Sequence, residues 1–402
     1  MPNQMTGTTA AQSQAMSASQ VQATNDQISA YIRSVSQEVK QNIYSATLTS
    51  PSSGNNVIQI PVRNVGLLKG FIVQITATMS NTGSAAAALT TWNAANILSN
   101  VSFFDLDNYQ RINCAGWFLN MLGTAKEGFP FGAALLSTAM DTPIKYGNNF
   151  NVISATSSLG ATTGTGTVNM RFWVPIAYSK TDLRGSIFMG VVNATAYLQL
   201  TINPAPGVTT GDATLAVYSG ANTAVTISSC TVSVYQVYLD QLPRYSSGPN
   251  AGAPILPPID TSTQYRLVTT SLTGVSAAQD FPVPFSNFQQ FLSLGLIYDQ
   301  AGTLNGGSDI NYFALAAANT YQLFKLDPYT QALLERIRIC TDFPVGSYMF
   351  DFRDQPVSTN QTGNMQLLLN AISAATGTTV YAGFESFALI NTVLGAASLP
   401  AS

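Results

Sequence analysis

Two trains of strand-like runs lie on either side of one stretch, PRYSSGPNAGAPILPP (243–258), that cannot continue either of them. Pro243, Pro249, Pro254, Pro257 and Pro258 lack the N–H that an inner strand of a sheet must donate. Upstream, NVIQIPVRN, GFIVQITATMS, LSNVSFFDLDNYQRIN, NNFNVISAT, GTVNMRFWVPI, AYLQLTINP and VTISSCTVSVYQVYL are β-branched or aromatic runs parted by Gly, Asn, Asp or Pro. Downstream, YRLVTTSL, FLSLGLIY, GSYMFDF, MQLLLNAIS and YAGFESFALI repeat the theme. Many short strands with few helices predict an all-β chain of sandwiches or jelly rolls. At 402 residues there is room for two such units, each with its own core.

The expected division is therefore an arm and helix over 1–55, a first β unit over 56–242, a connector over 243–258 and a second unit over 259–402. Proline-rich backbone advances about 3.1 Å per residue, so an extended connector could run from the end of one unit to the start of the next. Tyr245, Ile255 and Leu256 suit it to dock along the boundary, which predicts an ordered, extended connector between halves that do not separate.

Three helices interrupt the pattern. Residues 1 to 24, rich in Gln, Ala, Ser and Thr, lack the large apolar residues that offset ordering entropy and read as a mobile arm. In NDQISAYIRSVSQEVKQNIY, Ile28, Ile32, Val35, Val39 and Ile43 recur at helical spacing, predicting a helix over 26–43 capped by Asn25 or Asp26. Arg33 and Lys40 would share one flank of it. GWFLNMLGTAKEG reads as a short helix. KLDPYTQALLERIRIC reads as another, with Asp327 at the cap, Pro328 at the first position, and Tyr329, Leu333 and Ile337 on one face.

Charged residues make up only 9 % of the chain, against roughly 25 % in an ordinary domain. Ser, Thr, Asn, Gln and Gly take their place. Two readings fit equally: flanks hidden against partners, which are depleted in Lys, Glu and Asp, or a secreted β protein with a neutral surface. With 16 Lys and Arg against 19 Asp and Glu, no basic patch calls for direct nucleic-acid contact. The first residues show neither a secretory signal nor an apolar run of membrane-spanning length, so a soluble chain made in a cytoplasm is expected.

Chemistry is hard to find. Histidine is absent, which removes the usual general base and the commonest metal ligand. Cys114, Cys230 and Cys340 have no zinc or disulfide spacing and read as buried thiols. GATTGTG (160–166) lacks the strand–helix context of a phosphate loop and reads as a turn. Asp105 and Asp107 in DLDN lack the later Glu of a calcium loop and read as a hairpin turn; DQAGTLNGGSDIN, with Asp299 and Asp309, reads as a surface loop. Trp92, Trp117 and Trp173 sit in apolar runs that suit packing better than sugar stacking. No catalytic residue, cofactor or metal is predicted.

Several stretches resemble one family, the double jelly-roll major capsid proteins of tailless icosahedral bacteriophages with an internal membrane, the tectivirus group. They are NVGLLKGFIVQITATMSN from Asn64, DTPIKYGNNFNVI from Asp141, FWVPIAYSKTDLRG from Phe172, VYQVYLDQLP from Val234, SDINYF from Ser308, KLDP from Lys325 and TDFPVGSYMFDFRDQP from Thr341. They keep the family's order and spacing over residues 60 to 385. The resemblance implies two eight-stranded jelly rolls side by side, trimers with a nearly hexagonal footprint that tile the facets of a shell, and an N-terminal helix pointing toward an internal membrane, with Arg33 and Lys40 membrane-proximal. Partners would be the two other chains of the trimer, neighbouring trimers, penton and minor capsid proteins, and the membrane through the N-terminal arm. The virion shell, assembled in the host cytoplasm, would be its place. The alternative is a cell-surface double β-sandwich that binds carbohydrate; a carboxylate-only glycosidase ranks third.

Overall fold

The computed structural model describes residues 18–51, 56–127, 153–191, 194–208, 216–256, 263–300, 302–304, 307–317, 321–339, 343–359 and 365–389. In chain order the principal elements of the first half are α1 (Ala18–Val35), β1 (Gln37–Thr49), β2 (Val57–Pro61), β3 (Leu67–Asn81), β4 (Leu98–Phe104) and β5 (Gln110–Cys114). Then come α2 (Gly116–Glu127), β6 (Gly164–Pro175), β7 (Tyr197–Ile202) and β8 (Val225–Asp240). The second half has β9 (Thr263–Thr273), β10 (Asp280–Pro284), β11 (Gln289–Gln300), β12 (Ile310–Ala317) and β13 (Tyr321–Leu326). It ends with α3 (Pro328–Ile339), β14 (Ser347–Asp351), β15 (Met365–Ala371) and β16 (Thr378–Leu389).

Each half folds its eight principal strands into two facing sheets. In the first half these run β1-β8-β3-β6 and β2-β7-β4-β5; in the second, β9-β16-β11-β14 and β10-β15-β12-β13. Counted from the start of either half, the order is the same, and it is that of a jelly roll. The fold is a double jelly roll.

The helix over 26–43 needs correction. Helix α1 already runs at Ala18, so Asn25 and Asp26 lie inside it, and residues 18 to 24 are helix rather than arm; residues 1 to 17 lie outside the described residues. It ends at Val35, and Gln37 onward is strand, pairing with β8 from Gln37↔Asp240 to Thr49↔Ser229. A spacing of four, Val39 to Ile43, fits a strand's period of two as well as a helix's, and a register shift between Asn42 and Tyr44 blurs the alternation further. Helix α1 docks on its own jelly roll: Ile32 is buried with Leu67, Leu183 and Leu239, and Ile28 packs beside it. Val35 stays exposed.

The connector is also not extended. Ile255 N–H donates to Pro243 O at 2.7 Å, Tyr245 and Ala253 bond, and Gly252 N–H returns to Tyr245 O at 2.9 Å, so 243–255 doubles back as a hairpin. Pro243, Pro249 and Pro254 lie in or beside it, while Pro257 and Pro258 fall outside the described residues. Short backbone bonds across the loop stabilise the return where proline removes ladder donors. Ile255 and Leu256 pack with Ile28 and Ile32 of α1, so the chain's entry and exit segments meet on one patch. Cutting the hairpin's exposed tip between residues 246 and 251 is expected to leave one particle in native gel filtration, its fragments parting only in denaturant. Separate elution of the two fragments would show that covalent continuity alone holds the halves.

Candidate functional site: the seam between the two jelly rolls

The boundary is a hydrogen-bonded sheet. Strand β5 of the first roll pairs in parallel with β9 of the second, Leu267 opposite Ile112 and Val268 opposite Asn113. One continuous sheet thus runs from β2 through β5 and β9 to β11. The pairing also hides two edges that would otherwise offer unpaired N–H and C=O groups to other chains. The larger hydrophobic core ignores the boundary, taking Tyr265, Leu267, Leu292, Ile297, Met349 and Phe387 from the second half into the core of the first.

Helix α2 is the second fastening. It leaves β5 at once and lies across the outer face of the sheet formed by β9, β16, β11 and β14. Its first turn is positioned from below, Ala115 N–H donating to Thr269 Oγ1 at 3.1 Å. Phe118 and Met121, both fully buried, press on Gly295 and Gly383, which face each other across β11 and β16. A Cβ at Gly295 would come within 2.6 Å of Met121 Sδ, and one at Gly383 would overlap the Phe118 ring. These glycines are close-approach sites, not turn residues.

The same helix ends in a buried ion pair. Lys126 Nζ lies 2.6 Å from Glu385 Oε1, and the Glu385 side chain is completely inaccessible. Tyr265 donates to Glu385 Oε1 and Ser293 to Oε2, each at 2.7 Å, and Lys126 also donates to Tyr178 O at 2.7 Å. Burial pushes the Glu385 carboxyl up, but Lys126 beside it, with the Ser293 and Tyr265 hydroxyls, outweighs burial and holds it below the usual carboxylate range. Burial, then the neighbouring carboxylate, keeps Tyr265 protonated by pushing it well up. Arg353, bonded to Asp351 at 2.6 Å, reaches back across the seam to Ala125 O at 3.3 Å. Cations stack on aromatic rings here too: Lys126 lies 4.4 Å from the Tyr178 centroid and Arg184 4.8 Å from that of Phe387.

The residues singled out by sequence fall elsewhere. Arg33 and Lys40 are not on one helical flank; Arg33 is on α1 and Lys40 on β1, where its Nζ is 3.3 Å from Glu38 Oε1. Both line a trough of about 570 Å³ with Lys69, Arg171 and Lys180, and Glu38 is the one carboxylate among the described residues lining it. Lys69, almost fully buried, pairs with Glu38 at 2.6 Å. Trp92 and Trp117 are core, 6.0 Å apart and edge-on, so neither can stack on a sugar; Trp173 is half-buried. Asp105 closes its hairpin by accepting from Tyr109 N–H at 2.9 Å and Arg111 Nε at 2.7 Å, so its own carboxylate is occupied, while Asp107 is exposed in the turn. Cys114 and Cys230 are buried free thiols; burial pushes Cys230 up to about 12, and Cys340 lies outside the described residues. No cluster of metal-ligating side chains occurs among the described residues, and no helix there is long and apolar enough to cross a membrane.

Sequence reading missed the seam. Its one signal was a glutamate inside an apolar run, YAGFESFALI, flanked by a glycine two residues earlier. Helix α3 was placed correctly, and the structure adds which face turns inward. Asp327 accepts from Tyr329 and Thr330 N–H at its start, and the face it turns inward is Pro328, Gln331, Glu335 and Ile339. Glu335 accepts from Met349 N–H at 2.7 Å and Gln331 donates to Met349 O at 2.9 Å, answering backbone groups of β14, which is an edge strand. Tyr329, Leu333 and Ile337 do share a face, and it looks outward, 72 %, 56 % and 65 % exposed.

The architecture is two tandem jelly rolls fused through one sheet. In fold the chain is similar to the crystal structure of the STIV MCP (TM-score 0.60, 12 % identity, 90 % of this chain and 100 % of that one). It is also similar to PBCV-1 VP54 fitted into a reconstruction of the Sputnik virophage (TM-score 0.52, 12 % identity, 88 % and 94 % covered). Residues 3–242 match the P3 major capsid protein N-terminal family and 262–401 its C-terminal counterpart. Over 384 residues the chain is 37 % identical to major capsid protein P3 of Enterobacteria phage PRD1, covering 94 % of each. The chain belongs to the P3 major capsid protein family: it is a structural protein of the virion shell and not an enzyme.

Proposed function

We propose that three copies of this capsid protein form one tile of nearly hexagonal outline, and that such tiles surround a membrane vesicle with α1 on the inner side. The observation that supports this most is the rigid internal repeat. Two rolls of identical strand order are locked together by the β5–β9 pairing and the buried Lys126–Glu385 pair, so one chain presents two similar blocks at fixed spacing. Three such chains around a threefold axis give six blocks. Light scattering on freshly purified protein should give a trimer, with pseudo-hexagonal particles in negative stain. A monodisperse species near the 42.6 kDa of one chain at all micromolar concentrations would sink the tile.

Neighbouring tiles, penton proteins and minor capsid proteins complete the proposed contacts. Flanks rich in uncharged polar groups suit them: the outer face of the first sheet carries hydroxyl pairs such as Ser45 with Ser233 at 3.1 Å and Thr47 with Thr231 at 2.9 Å, with Arg171 the charged residue of the Ser45–Ser233 row. At the α1 end of that face, Arg33 and Lys40 are the proposed membrane-proximal cations, each contributing about 1 kcal/mol near anionic headgroups.

A further inference from the structure

Exposed aromatic rings gather at one end of the molecule. Of the five exposed aromatic side chains among the described residues, Tyr31, Tyr109, Tyr245 and Phe288 lie at the α1 end and Tyr329 does not. Tyr31 is on α1 itself, and Tyr245 is in the hairpin that carries Ile255 onto Ile28 and Ile32. Strand β2 leads through a short loop to Leu67, which packs on Ile32; across its sheet Pro61 is level with Tyr197 and Phe104. The β4–β5 turn that holds Tyr109 is therefore at this end too. So is the start of β9, which runs parallel to β5. Gln264 of β9 and Gln289 of β11 both face Ala388, which puts Phe288 just beyond them.

Phe288 is the odd member. Its φ is +58°, a region that suits glycine or asparagine and that a bulky side chain rarely takes. The turn imposing it is firmly held. Buried Thr359 donates to Ser286 O at 2.9 Å and accepts from Gln289 N–H at 3.0 Å, gripping both sides of Phe288. Phe285, at the start of the same turn, points into the core, while the Phe288 ring is 52 % exposed. Strain and exposure both count against this residue within one chain, so its use lies outside the chain.

We infer that Phe288 is a membrane anchor: its ring enters the boundary between headgroups and acyl chains of a bilayer facing the α1 end, with Tyr31, Tyr109 and Tyr245 at headgroup level. Aromatic side chains collect at such boundaries, where one end is apolar and the other wet. A protein partner is met through a packed patch with a buried centre. These rings instead project from four separate segments, α1, the β4–β5 turn, the connector hairpin and the β10–β11 turn, which suits a broad flat surface. Arg33, Arg63 and Arg244 lie at the same end and favour anionic headgroups; that attraction is screened by salt, whereas ring insertion is not. Because the turn is preformed, little ordering opposes insertion. This inference rests on the inward placement of α1 proposed above and adds the residue that enters the lipid.

The test is flotation of the purified full-length protein with vesicles of phosphatidylcholine, alone or mixed with phosphatidylglycerol, at low and high salt. Phe288→Ser should lower partitioning onto the mixed vesicles by about fivefold, the effect of no longer burying half of one ring, and the loss should persist at high salt. Phe288→Trp should bind at least as well as the wild type. Phe288→Gly separates anchoring from a packing role: freed of the strained φ, it should unfold at no lower denaturant concentration than the wild type, yet bind as weakly as Phe288→Ser. Flotation that Phe288→Ser and Phe288→Gly leave unchanged overturns the anchor alone and leaves Arg33 and Lys40 as the contact. A wild-type protein that floats with neither vesicle at either salt overturns the inward placement of α1 and the anchor together.

Discussion

Replacing Lys126 with Met is expected to lower the stability of the whole chain by about 3–5 kcal/mol, because Glu385 is then left as an uncompensated charge in a closed interior. The loss also removes the donor to Tyr178 O. Adding Glu385→Gln should restore much of it: the amide oxygen still accepts from Tyr265 or Ser293, and no charge remains buried. Denaturant unfolding of the single and double variants at neutral pH checks this, and a single variant as stable as wild type would show the pair to be idle. The same carboxylate sets a pH dependence. Its folded pKa lies below the unfolded value, so its contribution is complete above the ordinary Glu range, near 4.3, and is lost as pH falls through the folded value. Wild-type stability should therefore drop more steeply on acidification than that of the Lys126→Met, Glu385→Gln protein.

Phe118→Ala should cost about 3–5 kcal/mol, the usual range for emptying an aromatic core site. Here the void opens between domains, so the loss is predicted to appear first as faster amide exchange in β9 and β16. Gly383→Val attacks the same contact from the other side, driving a branched side chain into the Phe118 ring. Combined with Phe118→Ala, the new valine would have space to fill. The double variant should be clearly more stable than the sum of the singles implies, as contacting sites are not additive. Strict additivity would mean that the ring and the glycine do not meet.

Strand content, the two halves and the short helices were legible because period-two alternation and Gly/Pro punctuation are local. What lay beyond local reach was partnership. LSLGLIY in β11 reads as a buried strand, but nothing in it says that α2 supplies the second cover. Residues 37–43, the first half of β1, looked helical because Val39 and Ile43 fit both periods, and β8, their partner, lies far along the chain. In α3 the spacing places Tyr329, Leu333 and Ile337 on one face but does not give its direction, which follows from Met349, whose backbone groups are answered by Gln331 and Glu335. The connector's prolines excluded a strand, yet the hairpin depends on backbone bonds that composition does not reveal.

The glycine pair under α2 also has a meaning in time. Phe118 leaves the ribosome 265 residues before Gly383, which at roughly 5–20 residues per second is a delay of about 13–53 s. Until β9 emerges, β5 presents an open edge, and until β11 and β16 follow, Phe118 and Met121 lack the glycine pair on which they press. The nascent chain is thus most adhesive in the middle of its own synthesis. On a polysome, where identical chains grow side by side, the most dangerous neighbour is another unfinished copy whose own second half could take the helix first.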